Sequence, residues 1–369
     1  MTRRRLAVAA LLTALVAAAA TFVASAGASK KAGPYKVAWI LVGPHNDGGW
    51  SQAHYDGMNY VAKALGSKVQ VTFKENIANG AQVQQTVASL AQQGYNMIFG
   101  TSFGFFSKSL AAKYPNIKFE QATGTDLASN LSEYYGAGED AIYLSGMAAG
   151  AAAKCNTVGY VVAFPIPEVI RHTNAFTLGA RLTDPGVQVR IVWTNSWYNP
   201  AAEKKAAESL HSAGACVLGQ NVDSPATGQF AESIGIPWVG YDSDSSQFAP
   251  KSWLTASVYN WGPYYVKRVQ AAMAGTWKPG FYYGSINDGF TQLASYGPGV
   301  SAKTKALIAR YQAMIRAGTF YEFTGPLYDQ GGKLRVPKGV RMQVLKGGTN
   351  SLYGMNWLVK GVIGSSTGK

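Results

Sequence analysis

The chain has 369 residues, of which 47% are apolar and only 14% carry a charge. This composition favours large packed cores and excludes an intrinsically disordered chain. Basic residues outnumber acidic ones by 33 to 19, but they are scattered and form no run of five or more, so we predict no nucleic-acid partner. The length suits two domains.

Residues 1–28 have the pattern of a cleaved secretory signal. Three arginines at positions 3–5 precede a run rich in Ala, Leu and Val, and A-S-A at 24–26 or A-G-A at 26–28 supplies a cleavage site. The apolar run is close to the length of a membrane span, but its position and cleavage pattern favour removal. We expect export to a periplasm, without a lipid anchor, because no cysteine lies near the cleavage site.

From residue 35 onward, short apolar runs alternate with helical patterns, which indicates parallel sheets covered by helices on both faces. The first round contains the strands KVAWILVG, VQVTFKEN, NMIFGTSF and IKFEQAT, with helices near 50–65, 81–93 and 107–113. The second round follows a small-residue helix near 143–153. It contains the strands TVGYVVAF, VQVRIVWTN, CVLGQN and PWVGYDSD, with helices near 168–182, 201–213 and 226–234. The strand LTASVYN and helices near 263–274 and 302–317 complete the pattern.

These elements predict an α/β protein with two doubly wound parallel-sheet lobes joined by a hinge of several crossings. The N-terminal lobe is expected to comprise 35–135 with about 258–282, and the C-terminal lobe 136–256 with about 284–345. The tail, 346–369, is expected to pack near the hinge. Hinge closure of the two lobes around a ligand is the expected motion.

The two cysteines, Cys155 and Cys216, begin the first and third strands of the second round. Those strands are neighbours in a doubly wound half, and an exported chain reaches an oxidising compartment. The pair is therefore a disulfide candidate. Two buried free thiols are the alternative.

Ligands of open α/β sheets bind outside the carboxyl ends of the strands. Two segments, GPHNDGGWSQAH and TNSWYNPAAEKKAA, each leave a strand, pass through a polar-aromatic loop and place a tryptophan, Trp50 or Trp197, at that end. We expect the two indoles to face one cleft that receives a flat, polar small molecule. Other candidates at strand ends are aromatic or short and polar: Asp47, Phe103, Phe105, Phe106, Phe164, Glu168, Asn195, Asn199, Asp223, Tyr241, Asp242, Asp244, Asn260, Trp261 and Asp288.

The residues give no positive evidence for catalysis. The four histidines lack a metal-ligand spacing, and no nucleophile elbow, dinucleotide fingerprint or phosphate loop is present, so we predict neither a metal nor a cofactor. Asp47 and Asp242 could serve as the carboxylate pair of an exported glycosidase or nucleosidase. Aspartates in such turns also commonly cap helices or close turns.

Many motifs together resemble the basic membrane protein family of ABC-transporter substrate-binding proteins, in the right order and over nearly all of the chain after the leader. They are GPHNDGGWSQAH, FGTSFGFF, YLSGMAAGAAA, VAFPIPEVIRHTNAFTLGAR, WTNSWYNP, DSPA, GYDSDSSQFAP, NWGPYY and GTW. The resemblance implies a two-lobed, periplasmic-binding-protein-like type I fold that closes around a purine base or nucleoside. It implies delivery of that ligand to a membrane permease, and we expect a monomer.

Carried over by position, the resemblance implies that Trp50 and Trp197 stack on opposite faces of the base. Asp47 corresponds to an acidic position that meets the base edge, Asp242 to one that faces the ribose, and Phe103 to the loop beneath the site.

Three departures from the family pattern bear on specificity. Tyr259 stands where nucleoside receptors carry a lysine, Ser51 replaces an asparagine, and Asn199 replaces an acidic residue. These changes favour a free base such as adenine. A receptor for a sugar or a signalling compound is the alternative, because sugars also stack on tryptophan.

Overall fold

The computed structural model describes residues 33–345 and 351–368, so the expected signal sequence lies outside the described residues. The strands are β1 (Tyr35–Ile40), β2 (Val69–Lys74), β3 (Met97–Gly100), β4 (Lys118–Ala122), β5 (Leu131–Gly136), β6 (Thr157–Val162), β7 (Gln188–Trp193), β8 (Val217–Asn221), β9 (Trp238–Asp242), β10 (Trp253–Tyr259), β11 (Phe281–Gly284), β12 (Thr291–Leu293), β13 (Leu327–Tyr328), β14 (Leu334–Val336) and β15 (Val362–Ile363).

The helices are α1 (Trp50–Leu65), α2 (Ala81–Gln92), α3 (Lys108–Ala112), α4 (Gly138–Ala152), α5 (Pro167–Thr183), α6 (Pro200–Ser212), α7 (Ala226–Ile234), α8 (Trp261–Met273) and α9 (Ala302–Arg316). Their bounds follow the sequence prediction within about two residues, except that α4 begins at Gly138 and not near Tyr143. Among the described residues, no helix is both long and apolar enough to cross a membrane.

The first sheet has the order β2-β1-β3-β4-β5-β11 with parallel pairing throughout. Strand β5 was not predicted, because its buried residues are partly polar and break the apolar pattern. Ser132 donates its hydroxyl to the Gly280 carbonyl at 2.8 Å, and Glu133 accepts from the Gln121 amide at 2.9 Å. Hydrogen bonding therefore makes this polar strand compatible with burial.

The second sheet has the order β15-β7-β6-β8-β9-β10-β12, in which only the β10–β12 pair among the described strands is antiparallel. Helices α4 and α5 lie in contact against it. Their close approach depends on glycine, since a Cβ at Gly146 would lie 2.2 Å from the Phe176 carbonyl oxygen, and one at Gly179 would lie 1.9 Å from the Tyr143 oxygen. The two sheets confirm the predicted α/β fold class.

The chain passes between the two sheets between β5 and α4, between β10 and α8, and between β11 and β12. We call the first-sheet part the first lobe and the second-sheet part the second lobe. The described part of the C-terminal tail contacts both. Tyr353 packs on Phe281 and Tyr283 of the first sheet, whereas β15 extends the second sheet beside β7.

Cys155 and Cys216 form a disulfide in the structure. The bond joins the residues that precede β6 and β8, which are paired strands. It lies at the amino ends of these strands, away from the edge where their carboxyl ends meet the first lobe.

Candidate functional site

A small cavity lies between the carboxyl ends of the two sheets. The first lobe contributes residues that follow β1, β3 and β4, and the second lobe contributes residues that follow β6, β7 and β8 or end β9. This is the position at which doubly wound sheets bind ligands. The cavity is lined by Val42, Trp50, Thr101, Ser102, Phe103, Thr123, Glu168, Trp197, Asp223, Tyr241 and Asp242.

Trp50 is the first residue of α1, and its orientation is fixed on two sides. Its indole N–H donates to the Thr101 carbonyl at 2.6 Å. Behind it, the rings of Tyr259 and Trp261 meet the indole edge-on, at centroid distances of 5.9 and 5.4 Å, and His54 packs at 4.5 Å. Held in this way, the indole is preorganised as a wall of the cavity.

Trp197 supplies an aromatic wall from the second lobe. Phe164 packs edge-to-face on it at a centroid distance of 5.3 Å. The Trp197 carbonyl accepts from the Asp223 backbone N–H at 2.9 Å, which ties this wall to the acidic loop that follows β8. Trp197 and Phe103 stay partly exposed, with Phe103 at 41%.

Three carboxyl groups, those of Glu168, Asp223 and Asp242, line the cavity. Glu168 accepts from the Tyr135 hydroxyl at 2.9 Å. Both carboxylate oxygens of Asp242 and Oδ1 of Asp223 lack a hydrogen-bond partner among the described residues, and Asp242 adopts a positive φ of 62°. Buried polar atoms are normally paired, so these oxygens are free to accept from a ligand.

Burial is the main cause that raises the pKa of all three carboxyl groups. For Asp242 the charges of Glu168 and Asp47 raise the pKa further, against a smaller lowering by Tyr241. For Glu168 the neighbouring Arg171 acts in the opposite direction. A ligand that donates N–H or O–H hydrogen bonds would stabilise the charged forms and offset the burial.

Four sequence candidates have structural roles outside the cavity wall. Asp47 accepts from the backbone N–H groups of residues 49, 51 and 52 at 2.9–3.0 Å, as the cap of α1, and Ser51 accepts from Gly43 N–H at 3.0 Å. Asn199 caps α6, and Asp288 closes the loop between β11 and β12. Their oxygens accept from backbone donors and these residues do not line the cavity, while the ligand contacts expected of Asp47, Ser51, Asn199 and Asp288 stay predictions.

Tyr259 and Trp261 lie in the aromatic layer behind Trp50 and are not in the cavity wall. Tyr259 donates to the Tyr135 hydroxyl at 3.1 Å, and so connects indirectly to Glu168. Among the other strand-end candidates, Phe105 and Phe106 are buried in the first lobe, and Asn195, Asp244 and Asn260 are exposed.

Sequence reasoning missed two cavity residues, Val42 and Thr123, whereas the loop GTSFGFF, which contains Thr101 and Ser102, is predicted from its glycines and hydroxyls to face the ligand. Val42 and Thr123 each follow a strand of the first sheet within two residues, which is a position that strand-end reasoning covers. They were passed over because they are neither aromatic nor acidic. Thr123 also has a positive φ of 65°, a conformation unusual for a β-branched residue.

The two lobes meet at the loop before α1. Ser243 donates its hydroxyl to the Gly49 carbonyl at 2.7 Å, and the Ser245 hydroxyl donates to the Gly48 carbonyl. A Cβ at Gly49 would lie 2.5 Å from the Asp223 carbonyl oxygen. These contacts cross from one lobe to the other beside the cavity, so they form only when the lobes are closed.

Glu203 supports the acidic loop from α6. Its oxygens accept from Asn199 N–H at 2.8 Å and from the Ser224 hydroxyl, and burial raises its pKa to about 7. The folded protein therefore binds a proton more tightly than the unfolded chain, where the pKa is near the ordinary 4.5. The contribution of this group to stability accordingly falls as the pH rises from about 4.5 to about 7.

We expect Glu203→Gln to raise the free energy of unfolding at pH 8 by about 1–2 kcal/mol and to change it little at pH 4.5, because glutamine resembles the protonated acid. Urea unfolding at pH 8 and at pH 4.5 measures the free energy of unfolding of the variant and of the unmodified protein. Glu208→Gln on the same helix, where the carboxylate is exposed, is the control and should lack the difference. Equal destabilisation of Glu203→Gln at both values would contradict the raised pKa.

The two sheets and the cavity between their carboxyl ends define a two-lobed, periplasmic-binding-protein-like fold. A solute-binding protein of an ABC transporter from Conexibacter woesei has the same fold, with a TM-score of 0.65 at 21% identity, covering 78% of this chain and 98% of that one. One from Aeropyrum pernix K1 has a TM-score of 0.69 at 16% identity, covering 77% and 92%.

The family model "ABC transporter substrate-binding protein PnrA-like" matches residues 35–315, and the chain belongs to this family. The family consists of substrate-binding proteins, which makes the hydrolase alternative wrong. A purine-binding protein of Brucella abortus is 36% identical over 91% of this chain and 95% of its own length. A putative ABC transporter glucose-binding protein of Haloferax volcanii is 32% identical over 75% and 71%. An ABC transporter nucleoside-binding protein of Lactococcus lactis is 25% identical over 57% and 59%.

Proposed function

We propose that this substrate-binding protein captures a purine base or nucleoside in the cavity between its lobes and delivers it to an ABC permease. The observation that carries the proposal is the cavity itself, which combines the indoles of Trp50 and Trp197 with unpaired carboxylate oxygens. Stacking on an aromatic side chain contributes about 1–3 kcal/mol per base. The oxygens of Asp223 and Asp242 can accept from ring N–H, amino or hydroxyl groups.

Two relatives support this ligand class, since one is named as purine-binding and another as nucleoside-binding. The replacement of a family lysine by Tyr259, which lies behind Trp50, favours a free base over a nucleoside. We further propose that the protein is exported through its arginine-led leader, acts as a monomer and moves freely in the periplasm.

Isothermal titration tests the proposal. The protein is unfolded and refolded to remove carried-over ligand, and is then titrated with adenine, guanine, adenosine, inosine and guanosine. Saturable heat with at least one of them, and a rise in melting temperature, are expected because a ligand that binds only the folded state stabilises it. The absence of heat and of a thermal shift with all five compounds would end the purine proposal.

Glucose is the second candidate, because the relative from Haloferax volcanii is named as a putative glucose-binding protein. Glucose therefore belongs in the same titration series. Binding of glucose without binding of any purine would replace the proposed ligand class.

The contact between the lobes gives a test of closure. We expect Gly49→Ala to weaken ligand binding by about tenfold, or about 1.4 kcal/mol, because the added methyl group would meet the Asp223 backbone and depopulate the closed form. Titration of the variant with the bound purine measures the effect. Gly280→Ala is a matched control, since a Cβ at Gly280 has no atom within 4 Å. Equal affinity of Gly49→Ala and the unmodified protein would show that the lobes do not close as in this structure.

A further inference from the structure

The ionisable groups that line the cavity are all acidic. Its titratable side chains are the carboxyls of Glu168, Asp223 and Asp242 and the phenol of Tyr241, and none of the described lining residues is Lys, Arg or His. This is unexpected in a chain in which basic residues outnumber acidic ones by 33 to 19. The acidic character of the cavity therefore does not reflect the basic composition of the whole chain.

The cavity carboxyls offer acceptor oxygens that make no hydrogen bond to the described protein donors. Asp242 is 1% exposed and Asp223 is 2% exposed, and three of their four carboxylate oxygens have no partner among the described residues. An ionised carboxylate only accepts hydrogen bonds, and a protonated carboxyl group keeps one accepting oxygen beside its O–H donor. A ligand that brings several donors therefore complements the ionised site best.

The cationic side chain of Arg171 does not line this cavity. Arg171 lies on α5 one turn after Glu168 and lines an adjoining pocket, and its Nη2 has no partner among the described residues. Its Nε donates to Glu139 at 3.1 Å and its Nη1 donates to the Leu352 carbonyl at 3.0 Å. His172, also on α5, is fully buried, and this burial lowers its pKa, which keeps it neutral.

We infer that the cavity selects among purines by their N–H donors, and that it binds amino-substituted purines in preference to oxo-substituted ones. This inference rests on the proposed purine function and specifies the substrate class of the same site. An amino group at the purine edge donates to a buried carboxylate. A carbonyl oxygen at the same place puts two acceptors together and leaves both unpaired, which is the arrangement that polar sites reject most strongly.

The sharpest test compares 2,6-diaminopurine with xanthine, which is 2,6-dioxopurine. The two molecules share the ring and its size. 2,6-Diaminopurine carries amino groups at positions 2 and 6 and accepting nitrogens at N1 and N3, whereas xanthine carries carbonyl oxygens at positions 2 and 6 and N–H groups at N1 and N3. We expect 2,6-diaminopurine to bind at least about 100-fold more tightly than xanthine in isothermal titration under identical conditions. Xanthine that binds equally well or better would overturn the inference.

Substitutions assign the preference to its residues. Asp223→Asn and Asp242→Asn each replace one acceptor oxygen by a donating amide, so each is expected to reduce the ratio of the two affinities at least about tenfold. Asp184→Asn is the control, because Asp184 lies in the turn between α5 and β7, where it accepts from Gly186 N–H, and asparagine can accept in the same way. Circular dichroism and thermal melting of each variant confirm folding.

An unchanged ratio in both folded cavity variants would overturn the assignment to these carboxyls. If purines bind but show no preference between amino and oxo forms, this inference fails while the proposed function stands. If no purine binds at all, the proposed function fails and the inference falls with it. If the cavity variants do not fold, the preference of the unmodified protein for 2,6-diaminopurine over xanthine decides the inference by itself.

Discussion

Replacing Trp50 and Trp197 together by alanine is expected to weaken purine binding by about 2–6 kcal/mol, from about 30-fold to more than 10⁴-fold. Each indole is expected to contribute about 1–3 kcal/mol by stacking, and the two belong to different lobes. Because both would contact the same ligand, their effects need not add, and a double-mutant cycle measures the coupling. Isothermal titration of the two single variants and the double variant gives the values.

The controls separate stacking from structural damage. Trp193→Ala removes an indole that donates to the Ser365 carbonyl outside the cavity wall, and should leave affinity unchanged. Trp197→Phe keeps an aromatic face and should lose less than Trp197→Ala. Trp50 also packs on His54 and Trp261, so Trp50→Ala requires a parallel unfolding measurement. Unchanged affinity in both single alanine variants would place the site elsewhere.

Removing the disulfide by Cys155→Ala with Cys216→Ala is expected to lower the free energy of unfolding by about 4 kcal/mol. The bond closes a loop with a sequence separation of 61 residues, and the chain-entropy model assigns about this value to such a loop. Urea unfolding of the variant and the unmodified protein measures the difference. Ligand affinity should be retained, because the cysteines lie at the amino ends of β6 and β8 and the cavity lies at the carboxyl ends.

Alkylation of the unreduced native protein, followed by mass measurement with and without reductant, checks the bond directly. No alkylated cysteine is expected before reduction and two are expected after it. Two reactive thiols without reductant, or equal stability of the double variant, would contradict the disulfide.

The sequence predicts the fold well where hydrophobic pattern and end signals agree. Helix α1 has the bounds that its pattern indicates, from Trp50 to Leu65, and β6 and β8 are neighbours as the doubly wound order requires. Strand β5 escapes prediction, because Ser132 and Glu133 are buried through hydrogen bonds with partners distant in sequence. Such pairing cannot be seen in local periodicity.

The sequence indicates the strand ends at which the cavity lies, but it does not indicate which carboxylates line it. Asp47 and Asp242 both lie near strand ends, yet Asp47 turns back to cap α1 while Asp242 has a positive φ and unpaired oxygens. The difference depends on backbone dihedrals that residue types do not encode locally. The two tryptophans are easier to single out from the sequence, because an aromatic residue in a loop of polar residues does not fit the pattern of a buried core.

The serine contacts between the lobes affect the overall affinity for a solute but not the selectivity between solutes. Ser243 and Ser245 bind backbone carbonyls of the facing loop, and each such bond is worth about 0.5–1.5 kcal/mol. That energy favours closure for every solute alike, while the cavity carboxyls act differently on each one. Changes in this loop would therefore alter the affinity for every solute by a similar factor. They would leave unchanged the order in which the cavity prefers different solutes.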